Sequence, residues 1–258
     1  MIDFHNHVLP NVDDGPKTMD VTLDMLECAK QQGINIIVNT VHYKHPKMKG
    51  KNTNYDFINK IKDEVVNEFL SRGKKIKIYI TSEVYFSSNL CSILNDPIAT
   101  FNDFMLIEFH PTIKPPNYIN TFFDLRMKGI KPILAHPERY RFVQNNPHEL
   151  ESLKKIDVLF QIDAGSILGQ FGLKTKKTAF KLLQNGFCDL IGSDSHNNRN
   201  RNFCIKRAYD LLSKSSAKIP KALNHNSSCI IDNSDDFINV DFKKQNFLNK
   251  LLKKIVNN

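Results

Sequence analysis

The sequence predicts an α/β fold with a mostly parallel sheet, closed or distorted into a barrel in preference to an open sheet. Three observations carry this. Short apolar runs alternate with longer amphipathic segments along the 258-residue chain. Several amphipathic segments end in Gly followed by an apolar residue, and no Pro-, Gly- or Ser-rich linker interrupts the series. Strand–helix alternation at this spacing implies βαβ units, whose strands pair in parallel. A barrel of about 250 residues is an ordinary size for one domain, so residues 1–258 are expected to form a single domain.

The elements follow in order. The first expected strand is Met1–His5, followed by an amphipathic helix over Met19–Gln32 that Gly33 stops. Strand Ile34–Val41, helix Tyr55–Ser71 and strand Ile76–Val84 come next, then strand Asp103–Phe109. Helix Asn117–Met127 is stopped by Gly129 before strand Lys131–His136. A helical segment over Pro147–Lys155 leads to strand Val158–Asp163, and helix Thr175–Asn185, stopped by Gly186, leads to strand Cys188–Ser193. Helix Asn202–Ser213 closes the series. Glycine just past a helix end is the usual stop signal, because without a Cβ it enters the left-handed conformation freely. Near the C-terminus, Phe242, Phe247, Leu248, Leu251 and Leu252 recur at helical spacing with lysines between them, which predicts a helix with a solvated outer face.

Composition narrows the class. A hydrophobic content of 41% with 24% charged residues is that of a soluble globular chain. No apolar run approaches the roughly 20 residues that span a bilayer, and MIDFHNHVLP carries neither the basic nor the apolar region of a secretory signal. The five cysteines (Cys28, Cys91, Cys188, Cys204 and Cys229) are odd in number and show no CxxC spacing, which fits reduced thiols in a cytoplasmic protein. The net charge of +9 comes from lysines spread along the chain without the dense, aromatic-interleaved patch of a nucleic-acid tract, so no nucleic acid partner is expected.

The chemistry-bearing residues gather at strand ends. His5 and His7 form an HxH pair at the end of the first strand, with Asp13 and Asp14 following in VDDGP. His42 ends the second strand, Glu83 the third, Glu108 the fourth and His136 the fifth; Asp194 and His196 follow the last, in GSDSH. A lone HxH or a lone strand-end Glu is weak evidence, since such residues often shape turns or cap helices. Their joint placement at the C-terminal ends of successive strands is the pattern of a barrel active site. Imidazole and carboxylate are ligands of Zn, Mn and Fe, and a carboxylate can bridge two ions. Residues two apart on an extended strand point the same way, so His5 and His7 can reach one ion, as can Asp194 and His196 if that segment stays extended. Two metals about 3.5–4 Å apart need a bridge, for which Glu83 or an Asp is the natural candidate. His148 and His225 read as surface residues, while His45 and His110 lie near the site in sequence.

Arginines follow the ligand-bearing segments: Arg139 and Arg141 after His136, Arg199 and Arg201 after His196. Guanidinium groups beside a metal cluster suit a phosphoryl group through bidentate hydrogen bonds. A thiolate phosphatase needs Cys-x5-Arg, but the residues six after the cysteines are Ile34, Pro97, Asp194, Asp210 and Asp235. Metal-assisted in-line attack on phosphorus is therefore the expected chemistry, with His42 or His196 as candidate proton donors to the leaving oxygen.

MIDFHNHVLPNVDDGP, TVHYKH, SEVY, LIEFH, AHPERY and GSDSHN together resemble the PHP (polymerase and histidinol phosphatase) superfamily, and within it the bacterial manganese-dependent capsular-polysaccharide tyrosine phosphatases. The resemblance extends over almost the whole chain. It implies a distorted seven-stranded (βα) TIM-like barrel with its metal site at the C-terminal ends of the strands. It implies a trinuclear, usually Mn2+-loaded centre (two or three ions, with Fe, Zn, Co or Mg as alternatives) held by His5, His7, Asp14, His42, Glu83, Glu108, His136, Asp194 and His196. Arg139 is implied to bind phosphate. The second arginine is Arg199 or Arg201, with Arg201 favoured, and whether His45 joins His42 is open. The implied substrate is a phosphotyrosine protein, such as the C-terminal tail of a bacterial tyrosine kinase that regulates capsule or exopolysaccharide synthesis. A histidinol-phosphate-type phosphatase and a PHP-type nuclease are the rival enzymatic readings, and a binding protein without activity is the non-enzymatic one.

Overall fold

The computed structural model describes residues 1–239. Strands β1 (Ile2–Asn6), β2 (Ile36–Tyr43), β3 (Lys77–Tyr85), β4 (Phe104–Glu108), β5 (Lys131–Ala135), β6 (Leu159–Asp163) and β7 (Leu190–Gly192) form one parallel sheet in sequence order. The sheet closes on itself. The Asp194 amide donates to His5 O (2.7 Å) and the His7 amide to Ser195 O (2.8 Å), with a parallel bridge between Asn6 and Ser195. The result is the expected seven-stranded (βα) barrel, distorted because this closing seam is so short.

Among the described residues, nine α-helices surround the strands: α1 (Met19–Gln31), α2 (Tyr55–Ser71), α3 (Tyr118–Met127), α4 (Arg141–Asn145), α5 (Glu151–Lys154), α6 (Ala164–Leu168), α7 (Leu173–Gln184), α8 (Ile205–Ser213) and α9 (Lys218–Ile231). Gly33, Gly129 and Gly186 stand just past α1, α3 and α7 at φ of 79°, 81° and 71°, as their positions predict. At each, the next amide reaches back to close the last turn, for example Ile34 N to Ala29 O at 3.0 Å. The expected helix over Pro147–Lys155 is a 3-10 turn (Pro147–Leu150) running into the single turn of α5. Helix α8 starts at Ile205, three residues later than its pattern predicts, and the predicted helix within Phe242–Lys254 lies outside the described residues.

Side chains two apart share a strand face, and this periodicity divides the barrel interior into layers. The inward row of β4 runs Phe104–Leu106–Glu108, that of β2 Val38–Thr40–His42, and that of β3 Tyr79–Thr81–Glu83. Each begins apolar and ends in a titratable side chain at the C-terminal mouth. The apolar ends meet in one cluster: Phe4, Val38, Phe104, Leu106, Ile133, Ala135 and Leu190, plugged by Ile230 of α9. Helix α9 is not among the expected elements, although its buried Ile219, Ala222, Leu223 and Ile230 recur at helical spacing; asparagines add to its docking. Asn226 donates to Asp189 O (2.9 Å), Asn224 Oδ1 accepts from the Ile2 amide (3.0 Å), and Asn102 donates to Ile230 O (2.9 Å). Apolar side chains and asparagines thus share the face of α9 that covers the barrel floor.

The seam that closes the barrel rests on Asp3. This fully buried carboxylate accepts from the amides of His5 and Ser193, both at 3.1 Å, and from the Ser193 hydroxyl. Burial pushes its pKa up to about 6, against the opposing pull of those donors. Replacing Asp3 with Ala leaves these donors unmatched in the interior. Asp3→Ala is expected to lower stability by about 2–4 kcal/mol in chemical denaturation.

Candidate metal centre

The centre is built around Glu83, which is buried at the mouth of β3. Its Oε2 lies 3.4 Å from His5 Nε2, 3.4 Å from His7 Nε2 and 3.1 Å from His42 Nδ1, while Oε1 lies 2.8 Å from His136 Nε2. Asp194 Oδ1 is 3.5 Å from both His5 Nε2 and His7 Nε2. Glu108 Oε1 faces His42 Nδ1 at 3.2 Å and His45 Nε2 at 3.7 Å. Asp14, half-exposed, meets His42 Nε2 at 3.3 Å and His196 Nε2 at 3.2 Å.

Three overlapping donor groups emerge: His5, His7 and Glu83; His42, Glu83 and Glu108; and His7, Asp14, His42 and His196. His136 and Asp194 belong to none of these groups but adjoin them, His136 through Glu83 and Asp194 through His5 and His7, so every residue expected as a ligand lies in one mouth. The segment carrying Asp194 and His196 does not stay extended, yet Asp194 Oδ1 and His196 Nδ1 remain 3.4 Å apart. The chain turns at Asp194 (φ 47°), so its carboxylate faces His5 and His7 while His196 Nε2 faces Asp14. His136, at φ 32°, is the other donor held in the left-handed region, which costs about 1–3 kcal/mol and is characteristic of functional sites.

Buried groups that the sequence reading left without a role orient these donors. His5 Nδ1 donates to Gln161 Oε1 (2.8 Å) and His7 Nδ1 to Asp13 Oδ2 (2.7 Å), which turns both Nε2 atoms into the mouth. Asp13 also accepts from the amides of Gly15 (2.9 Å) and His42 (3.2 Å). The two aspartates of VDDGP thus divide the work, Asp13 inward and Asp14 towards the cleft. A β-carbon on Gly192 would stand 2.6 Å from His5 Cβ and 2.7 Å from Gln161 Nε2, so only glycine lets that pair sit there. The alternation of β6 predicts Gln161 and Asp163 on one inward row, and Asp163 also stands at its strand's C-terminal end.

Arg139 and Arg201 approach Asp194 from the other side, at 2.6 and 2.7 Å from its Oδ2. Arg139 also pairs with the buried carboxylate of Asp163. Arg199 and Arg141 are exposed, so of the paired alternatives it is Arg139 and Arg201 that line the cleft. His110 binds its own loop through Thr112, and His148 and His225 are exposed. Tyr140 is buried where it lines the cleft beside His136: its hydroxyl donates to Ala135 O (2.6 Å) and accepts from the Phe109 amide (3.0 Å). The cleft encloses about 230 Å³, with His45 and Lys47 among the residues that line it.

A family model described as capsular polysaccharide synthesis, CpsB/CapC, matches residues 1–239. The chain belongs to the CpsB/CapC family. It is 33% identical to the tyrosine-protein phosphatase YwqE of Bacillus subtilis (strain 168), over 92% of this chain and 94% of that one. It is 32% identical to the putative tyrosine-protein phosphatase CapC of Staphylococcus aureus, over 81% and 82%. In three dimensions it matches a structure described among those of YwqE from Bacillus subtilis and CpsB from Streptococcus pneumoniae, "unique metal-dependent tyrosine phosphatases". The TM-score is 0.86 at 28% identity, over 93% of this chain and 98% of that one. An amidohydrolase from Mycoplasma synoviae, at TM-score 0.57 and 13% identity over 100% and 95%, shares the fold alone.

The electrostatics of this CpsB/CapC mouth call for a cation. Buried His5 Nε2, His7 Nε2, His42 Nδ1 and Glu108 Oε1 have no hydrogen-bond partner, which a metal ion would supply. Burial favours the neutral imidazole of His42, and His7 repels its charge. The nearby carboxylates of Asp14, Glu108 and Glu83 prevail and raise it to about 10. Burial likewise opposes the charged form of His7, yet its pairing with Asp13 holds its pKa well above the usual value. Burial and the charge of Arg139 lower His136 to about 4. Burial and the charge of Glu83 raise Glu108 to about 7. His7 and His42 thus carry protons at pH 7 that a divalent cation must displace. Binding of a divalent cation is expected to release at least one proton, and affinity to rise with pH by about a decade per unit for each proton displaced. Calorimetric titration in buffers of differing ionisation enthalpy measures both.

Proposed function

We propose that this chain is a metal-dependent protein-tyrosine phosphatase. The observation that carries the reading is the joining of two chemistries at Asp194, one oxygen turned to the His5–His7 donors and the other to two arginines. The curated relatives named as tyrosine-protein phosphatases support the substrate class. We propose Mn2+, two or three ions, as the cofactor, with His5, His7, Asp14, His42, Glu83, Glu108, His136, Asp194 and His196 as its ligands. The proposed substrate is the phosphotyrosine-bearing C-terminal tail of a tyrosine kinase in capsule synthesis, met in the cytoplasm, and residues 1–258 are proposed to act as one catalytic domain.

When bound, divalent cations lower the pKa of coordinated water from 15.7 towards about 7 and neutralise phosphate charge. The protein supplies the rest. Arg139 and Arg201 grip the phosphoryl oxygens and stabilise the charge that builds on them during in-line displacement. Water attacks phosphorus and gives up a proton to solvent, the bond to the tyrosyl oxygen breaks, and that oxygen leaves as a phenolate. Both ring nitrogens of His42 face carboxylates, and His196 divides its own between Asp14 and Asp194. We therefore assign both to the cation, and the phenolate (pKa about 10) takes its proton from solvent. An alkoxide leaves far less readily, which favours phosphotyrosine over phosphoserine. Lys44, Lys49 and Lys51 are exposed on the loop beside the cleft and Lys47 lines it, suiting an acidic polypeptide.

Chelation should abolish turnover of a phosphotyrosine peptide and Mn2+ should restore it. Alkylation of the cysteines should leave the rate within about twofold, since Cys188, Cys204 and Cys229 are buried and no cysteine lines the cleft. His136→Ala and Asp194→Ala should reduce metal content and cut the rate by orders of magnitude, read by elemental analysis and steady-state kinetics. Arg139→Ala should lower kcat/KM by about 10- to 100-fold with metal content unchanged, a loss of roughly 1.4–2.7 kcal/mol of transition-state contact. A kcat/KM for histidinol phosphate well above that of any phosphotyrosine peptide would overturn the substrate class.

A further inference from the structure

Between α6 and α7 the chain makes a tight strap, Gly169-Gln170-Phe171-Gly172, with both glycines at positive φ (92° and 87°). The strap is tied down at its start: the Gly169 amide donates to Ser166 O (3.1 Å), Gln170 N to Gly165 O (2.9 Å) and Gly172 N to Gly169 O (3.2 Å). Its aromatic residue is presented to the arginines. The Phe171 ring centroid lies 3.9 Å from Arg139 Cζ and 5.9 Å from Arg201 Cζ. Gly165 makes the approach possible, since a β-carbon there would stand 2.8 Å from Phe171 Cε2.

We infer that Phe171 is a positioning residue for the phosphate-gripping arginine pair. This rests on the reading of Arg139 and Arg201 as that pair. Carboxylates alone hold a guanidinium edge-on: Asp163 and Asp194 take the edge of Arg139, and Asp194 takes Arg201. Edge contacts leave a planar group free to tilt about the line of its hydrogen bonds. A ring stacked on the guanidinium plane removes that tilt, and the negative face of the ring attracts the cation. Phe171 fixes the plane of Arg139 and, from farther off, borders that of Arg201, so both forks arrive already aimed when phosphate enters. Asp163 serves the same end from beneath. It is fully buried, and its Oδ1 caps α6 through the Gly165 amide (2.7 Å), which couples the arginine to the helix that carries the strap.

The test is the affinity of the manganese-loaded protein for inorganic phosphate, by calorimetry and as a competitive inhibitor of p-nitrophenyl phosphate hydrolysis. It is run on Phe171→Leu, Arg139→Ala and the double variant. Leucine keeps the apolar bulk and removes the ring face. Phe171→Leu is expected to weaken phosphate and raise KM about fivefold, the scale of one cation–π contact, with metal content and Tm at the parent's values. The Leu change should have almost no further effect once Arg139 is Ala, because its action passes through that arginine. Unchanged phosphate affinity in Phe171→Leu overturns the inference, as does a loss that persists in full in the Arg139→Ala background. If Arg139→Ala itself leaves phosphate affinity untouched, the reading of the arginines as the phosphate grip fails instead. Phe171→Met, also apolar and without a ring, gives the same comparison should the Leu protein fail to fold.

Discussion

The carboxylate of Glu83 is the constraint on which the mouth of this barrel depends. A buried anion is costly unless it is matched by positive charge or hydrogen-bond donors. Here the imidazoles of His5, His7, His42 and His136 converge on its two oxygens from the ends of β1, β2 and β5. Those charges and hydrogen bonds hold its pKa well below the usual carboxylate range although burial pushes the other way. Neighbouring Glu108 meets a like charge at Glu83 in the same low-dielectric space and is raised to about 7. Two carboxylates with displaced protonation and unmatched imidazole nitrogens together make an arrangement that cations complete.

Asp194 is the second joint. It sits where the barrel closes, with its amide bound to His5 O and its side chain between the imidazoles and the arginines. Burial raises the carboxyl, but Arg139, His196 and Arg201 lower it further still, so it stays anionic. Strand closure, donor geometry and arginine placement therefore share one residue. The backbone at that residue is left-handed, a conformation Asp tolerates better than most side chains.

Below this layer the interior is apolar. The inward rows of β2, β3 and β4 change character along their length, with Val38, Tyr79, Leu106 and their neighbours packing the floor and His42, Glu83 and Glu108 facing the mouth. Dense packing beneath a polar site transmits little slack, which suits a centre whose donors must hold their positions to fractions of an ångström.

The sequence by itself determined the barrel and the content of its mouth. Glycines at 33, 129 and 186 and the alternating apolar runs marked the elements, and the His, Asp and Glu residues at successive strand ends marked the chemistry, because both signals are local in the chain. Tertiary structure alone decided which donors share a centre. It set Asp194 against His5 and His7, and His196 between Asp14 and Asp194, because the turn at Asp194 depends on pairing with β1 across the whole length of the chain. It also chose Arg201 over Arg199 and brought Gln161 and Phe171 to the site from positions without any motif. Helix α9 was legible only in part: Ile219, Ala222, Leu223 and Ile230 recur at helical spacing, but the hydrogen bonds of its asparagines to backbone groups of distant segments leave no mark in the periodicity of one segment.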